Sequence, residues 1–225
     1  MIALARLPLA RLVRTRRAVL PLVGWSVVAF GATFVARHAH ASSDDRALLG
    51  VLAPFVMPLV AYALVAAALG GEGVVAASRP LVRFGASPGW SALAAGAVAT
   101  AASAIVCAVL AALLVVAAHN PVDPPLGRDA LLSAYAGALG GAGTGAFFVL
   151  GSAVGPRGSG RAVALVVNWL FGASPGWLSI FVPYTHARNL LGGMPPVAVS
   201  ERASAWALAI IVAASLAIAS LRVRR

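Results

Sequence analysis

The sequence predicts an all-α polytopic membrane protein with six transmembrane helices and cytoplasmic N- and C-termini. Three observations carry this prediction. Apolar types make up 61 % of the 225 residues and charged types only 10 %, against about half and about a quarter in a soluble domain. The apolar residues gather into six runs near the length of about 20 residues that a helix needs to cross the hydrocarbon core. The segments between the runs alternate in charge along the chain, as the positive-inside rule requires. Six runs with short connections use the whole length, so residues 1–225 form a single transmembrane domain.

The first run, 18–36, follows a lead-in bearing Arg6, Arg11, Arg14, Arg16 and Arg17. Ala39 and Ala41 after it resemble a signal-peptide cleavage site, but 19 uncharged residues exceed a signal core of about 7–15. The run is therefore expected to be retained as a span. The second run, 48–69, holds Pro54 and Pro58 and is expected to kink near its start, with neighbours re-satisfying the backbone. A polar segment, 70–89, carries Glu72, Arg79 and Arg83. The third run, 90–118, is long enough to tilt or to extend beyond the bilayer. Three prolines make 119–129 a loop. The fourth run, 130–154, has Gly137, Gly141 and Gly145 four residues apart, a small-residue stripe for close helix packing. A basic turn, 155–161, leads to the fifth run, 162–182. Gly172-Ala173-Ser174-Pro175-Gly176 interrupts that run, so a shorter helix followed by a re-entrant piece is the expectation. Segment 183–202 precedes the sixth run, 203–221. The heptapeptide Phe-Gly-Ala-Ser-Pro-Gly-Trp occurs at 84–90 and again at 171–177, and reads as a reused turn that breaks and restarts a helix.

Six spans divide the loops into two sets. The N-terminus, 70–89, 155–161 and the C-terminus hold twelve Arg and one acid, Glu72. Segments 37–47, 119–129 and 183–202 hold five Arg, five acids and all four His. The first set is assigned to the cytoplasm, in a bacterial-type inner membrane. The net charge of +11 is explained by this orientation, and nucleic acid is not an expected partner.

All 17 basic residues are Arg. Without Lys the chain has no phosphate-binding loop of the Walker type. Cys107, the single cysteine, excludes an intrachain disulfide and Cys-rich metal sites and reads as a small apolar residue against a neighbouring helix. The predicted spans contain no Asp, Glu, Lys, Arg or His, which argues against a self-powered pump with ionisable relays at membrane depth. The polar residues left there include Tyr62, Thr100, Ser103, Ser133, Tyr135, Thr144 and Asn168. Asn168, Tyr135 and Tyr62 are candidates for lining a path or for interhelical packing, Asn168 foremost because a buried amide needs a partner. His38-x-His40 with Asp44 and Asp45 has the ligand types for an outer metal site, at a spacing common by chance in polar loops. No metal site and no catalytic residue is expected, and no His-Glu-x-x-His pattern is present.

The pattern of spans and loops resembles the membrane (permease) subunit of ATP-binding-cassette exporters, the type-2 permease superfamily. Residues 4–22 look like the basic amphipathic lead-in of that family. Glu72-Gly-Val-Val-Ala-Ala-Ser-Arg79-Pro80-Leu-Val-Arg83-Phe84 looks like the coupling segment that docks on the ATPase. Phe181-Val-Pro183-Tyr184-Thr-His186-Ala-Arg188-Asn189 is similar to the outer re-entrant segment after the fifth span. The resemblance implies an ATPase partner that supplies ATP and Mg chemistry, no cofactor in this chain, and a second permease subunit, identical or different, in membrane lipid. Glu72, Arg79 and Arg83 would couple, and Pro183, His186 and Arg188 would mark the outer segment. Two other classes stay open: a non-transport scaffold or assembly factor, and a membrane enzyme acting on a lipid or quinone through His186, Arg188 and Glu201.

Overall fold

The computed structural model describes residues 2–14, 16–38, 47–120 and 123–223, and the regular elements among them are all helical. Helix α1 (Ile2–Arg14) meets α2 (Arg16–His38) at a bend of 62°. Leu12 of α1 packs against both buried clusters of the bundle, so the lead-in is part of the packed domain.

Helix α3 spans Leu48–Ala68. Its first part, Leu48–Val56, is π-wound, and Met57–Ala68 is α-helical. The expected kink is thus absorbed as a change of winding. The cause is local. In an α-helix the Pro54 carbonyl is paired by the amide of residue 58, and Pro58 has none. The indole Nε1 of Trp169 donates to that carbonyl at 2.6 Å, which is the re-satisfaction a proline in lipid requires.

Helix α4 (Val74–Arg83) is short and amphipathic, with Val74, Ala77 and Ser78 buried. Helix α5 (Pro88–Ala118) has 31 residues and a length of about 46 Å, more than the hydrocarbon core of about 30 Å. Helix α6 runs Leu126–Ser152, so the predicted loop 119–129 is too long by one turn. The reason is that its prolines all precede Leu126: Pro125 stands at the N-cap, and nothing after it forbids a helix.

The glycine stripe packs as expected. A Cβ on Gly137 would lie 2.6 Å from the Cys107 carbonyl, and one on Gly141 2.6 Å from the Ser103 carbonyl. Only hydrogen at these positions lets α5 and α6 approach so closely. Cys107 is fully buried in this seam, the apolar role read for it.

Helix α7 (Gly160–Ala173) has 14 residues and a length of about 21 Å. The fifth run is therefore not one span over 162–182. After the break a 3-10 turn, Trp177–Phe181, leads to α8 (Pro183–Leu190). Helix α8 is wedged inside the bundle: Ala187 lies against Gly140, which Met57 also meets, and Pro183 lies against Gly143. Gly143 lies 17 residues after Leu126, about 25 Å along α6. The chain thus returns to the depth of the middle of α6 before running outward again. Helix α9 (Glu201–Arg222) begins two residues before the sixth run, because the Ser200 hydroxyl caps it by accepting from the Ala203 amide at 3.2 Å.

Among the described residues, α3, α5, α6 and α9 are long and apolar enough to cross a membrane, and the bent pair α1–α2 makes a fifth if counted as one span. The protein is therefore an all-helical, multi-pass membrane protein.

Candidate functional site

The loop segments collect at two ends of the bundle. At one end Arg11 donates through Nη1 to the Ala77 carbonyl at 3.4 Å, tying α1 to α4. A hollow of about 230 Å³ there is lined by Ser78, Arg79, Val82, Arg83 and Val223, which brings the C-terminal helix end beside α4. A second hollow of about 250 Å³ lies between Glu72, Arg79 and the turn carrying Arg157. At the other end Arg37 donates to the Ala117 carbonyl at 3.5 Å. A cavity of about 310 Å³ is lined there by Asp129, Ser133, Tyr135 and Glu201. The four segments read as one basic set thus share one end, and the segments of the other set meet opposite them.

The face at the basic end is built by glycine. Gly70 (φ +67°) and Gly71 (φ +81°) turn the chain out of α3. Gly73 then touches the turn after α6, where a Cβ would lie 2.9 Å from the Ser152 carbonyl and 3.0 Å from the Gly158 amide nitrogen. Glu72 and Arg79 are exposed on the rim of the same hollow, and Arg83 is exposed on the neighbouring one. Glu72 stands outside α4, which is capped at Gly73 without a side-chain hydrogen bond, so it does not act as the cap. Sequence reasoning treated Arg157 only as part of a basic turn. The structure places it on the rim with Glu72 and Arg79, in a left-handed backbone (φ +51°) uncommon for a side-chain-bearing residue. The Gly-Pro-Arg-Gly spacing was the available signal.

The outer-segment residues are differently employed. Pro183 starts α8, where its missing amide costs nothing. His186 is buried with both ring nitrogens engaged, Nδ1 with the Ser204 hydroxyl at 3.2 Å and Nε2 with the Ile180 carbonyl at 2.8 Å. Asn189 Nδ2 donates to the same hydroxyl at 2.8 Å and to the Val199 carbonyl at 2.9 Å. This network fastens α8 to the start of α9. Arg188 is half-buried, its stem against Gly193. Glu201 is exposed at the mouth of the cavity lined by Asp129 and Tyr135. Of His186, Arg188 and Glu201, His186 has both ring nitrogens committed to the packing of α8.

Asn168 is completely buried, and its Oδ1 accepts from the Tyr184 amide at 3.1 Å. That bond, with Thr185 Oγ1 donating to the Gly172 carbonyl at 3.2 Å, holds α8 against α7. Tyr62 is half-buried and meets Phe148 edge-on at 6.0 Å, whereas Tyr135 is 55 % exposed beside the cavity that Asp129 lines. One expectation is corrected. Arg161 was placed in the basic turn, but α7 starts at Gly160, whose amide pairs with the Val154 carbonyl at 3.1 Å. Arg161 therefore sits in the first turn of the helix, 5 % exposed, with its guanidinium 5.2 Å from the centre of the Tyr62 ring. His40, Asp44 and Asp45 of the His-x-His reading lie outside the described residues.

In comparisons with known proteins, no family model and no curated protein matches this chain.

Proposed function

We propose that the chain is the permease subunit of an ATP-binding-cassette exporter of the type-2 superfamily, moving a substrate across the inner membrane with ATP and Mg handled by a separate ATPase. The observation that carries this reading is the basic end of the bundle. There an exposed amphipathic helix, α4, is joined to α1, to the end of α3, to the start of α5 and to the turn between α6 and α7. A push on α4 from a cytoplasmic partner would be delivered to every one of these helices at once, because interfaces packed at glycine have no slack to absorb it. Glu72, Arg79, Arg83 and Arg157 give the face charges for a complementary partner surface.

In this reading α2, α3, α5, α6 and α9 cross the bilayer, and α7 with α8 completes the sixth crossing. Both termini and α4 face the cytoplasm, where the Arg of the basic set other than the buried Arg161 belong. The exposed apolar side of α9, with Trp206 and Ile210, faces lipid or a second permease subunit. The enzyme reading has less support, because both ring nitrogens of His186 are used in fastening α8.

The test is gentle purification of the tagged chain from its own membranes, followed by mass spectrometry. A Walker-motif ATPase is expected to co-purify. The double variant Arg79→Glu, Arg83→Glu is expected to lose it by about tenfold, a change of ~1.4 kcal/mol, with its level in the membrane unchanged. No ATPase with the unaltered chain, or full retention by the charge-reversed one, would overturn the reading.

A further inference from the structure

Arg161 has no structural reason to be where it is. It is 5 % exposed, and its Nε and Nη1 make no hydrogen bond among the described residues. A guanidinium keeps its charge and carries five donors, so its burial is costly unless an anion meets it. The Tyr62 ring at 5.2 Å offsets only part of that cost. Position adds to it, since the first turn of a helix is the positive end of its dipole and disfavours a cation.

The same face of α7 carries a second uncommitted donor. Its buried residues are Arg161, Ala164, Asn168 and Gly172, a stripe at helical spacing. Asn168 is completely buried with Oδ1 committed to the Tyr184 amide, and its Nδ2 has no partner among the described residues. Every orphaned polar atom on this stripe is therefore a donor, and one of them is cationic. Tyr62, on which the guanidinium rests, is only partly buried, and Arg161 keeps 5 % of its own surface, so the charge is not wholly sealed from the outside of the bundle. A ligand that completes the seam must bring acceptors and negative charge together.

We propose that the α3–α7 seam binds a phosphate-type oxyanion, with Arg161 as its counter-ion and Tyr62 as the wall. The group is carried on an anionic lipid headgroup or is a free anion. The site is independent of the ATPase reading, since it needs nothing outside this chain and its ligand.

The experiment uses the full chain purified in detergent. Its unfolding temperature is measured with phosphatidylglycerol, with phosphatidylcholine and with inorganic phosphate, and lipid retention is counted by native mass spectrometry. Phosphatidylglycerol is expected to raise the midpoint by about 4 °C and to be retained one per chain, with phosphatidylcholine giving neither. Arg161→Gln is expected to lose both effects, and Arg161→Lys to recover them in part. A rise with inorganic phosphate alone, lost in Arg161→Gln, would support the site and identify a free anion as its ligand. If the unaltered chain responds to none of the three, or Arg161→Gln responds as it does, the proposal fails. The retention count on the unaltered chain decides the matter even if Arg161→Gln does not fold.

Discussion

The heptapeptide Phe-Gly-Ala-Ser-Pro-Gly-Trp folds in two ways in one molecule. At 84–90 it is a compact turn between helices. Phe84 closes α4, Gly85 takes φ +85°, Ser87 stands at the N-cap and Pro88 is the first residue of α5. At 171–177 the two glycines exchange duties. Gly172 is helical and buried in α7, whereas Gly176 has φ +133° in the break before Trp177. Identical local preferences therefore leave two outcomes open, and the contacts of the surroundings choose. Around the second copy the chooser is α8: Tyr184 packs on Gly172, and its amide is held by Asn168.

Substitutions at matching glycines sharpen this contrast. The largest effect is expected at Gly172→Ala, where the new Cβ would lie 2.5 Å from Cδ1 of Tyr184 and 2.8 Å from its Cβ. The two helices would have to separate, at a cost of about 2–3 kcal/mol, read as earlier loss of helix on heating in detergent. Gly176→Ala is expected to cost about 1–3 kcal/mol, because φ +133° with ψ +165° is a conformation that essentially only glycine adopts. Gly85→Ala in the first copy is expected to cost least, about 1–2 kcal/mol, since its left-handed backbone is strained but nothing lies within 4 Å of the new methyl group. Equal costs at Gly172 and Gly85 would mean that α8 does not decide the second conformation.

The same division explains what the sequence disclosed. Periodic features were legible: the long apolar helices, the Gly137-Gly141-Gly145 stripe and the break at 172–176 all follow from residues near one another in the chain. Features that depend on distant partners were not. Nothing near Pro54 announces that Trp169 will pair its carbonyl. Nothing near His186 announces that Ser204 and Ile180 will occupy its ring. Arg161 was misread because Gly155, Gly158 and Gly160 mark the whole stretch as turn, whereas α7 starts at the last of them. At the basic end, Glu72, Arg79 and Arg83 are close in the sequence, whereas Arg157 joins them only through the contact of Gly73 with Gly158.

The proposed permease function requires the basic end to be a single cytoplasmic surface opposite the end that holds Asp129 and Glu201. Side-specific labelling of single cysteines tests this most directly, in a Cys107→Ala background, because Cys107 is the native thiol and is already buried. Cysteines placed at Arg83, Arg157 and Val223 are predicted to react with an impermeant maleimide only when the cytoplasmic side is exposed. Cysteines at Asp123 and Met194 are predicted to react only from the outside. Labelling of positions 157 and 194 from the same side would remove the crossing made by α7 and α8, and would contradict the account.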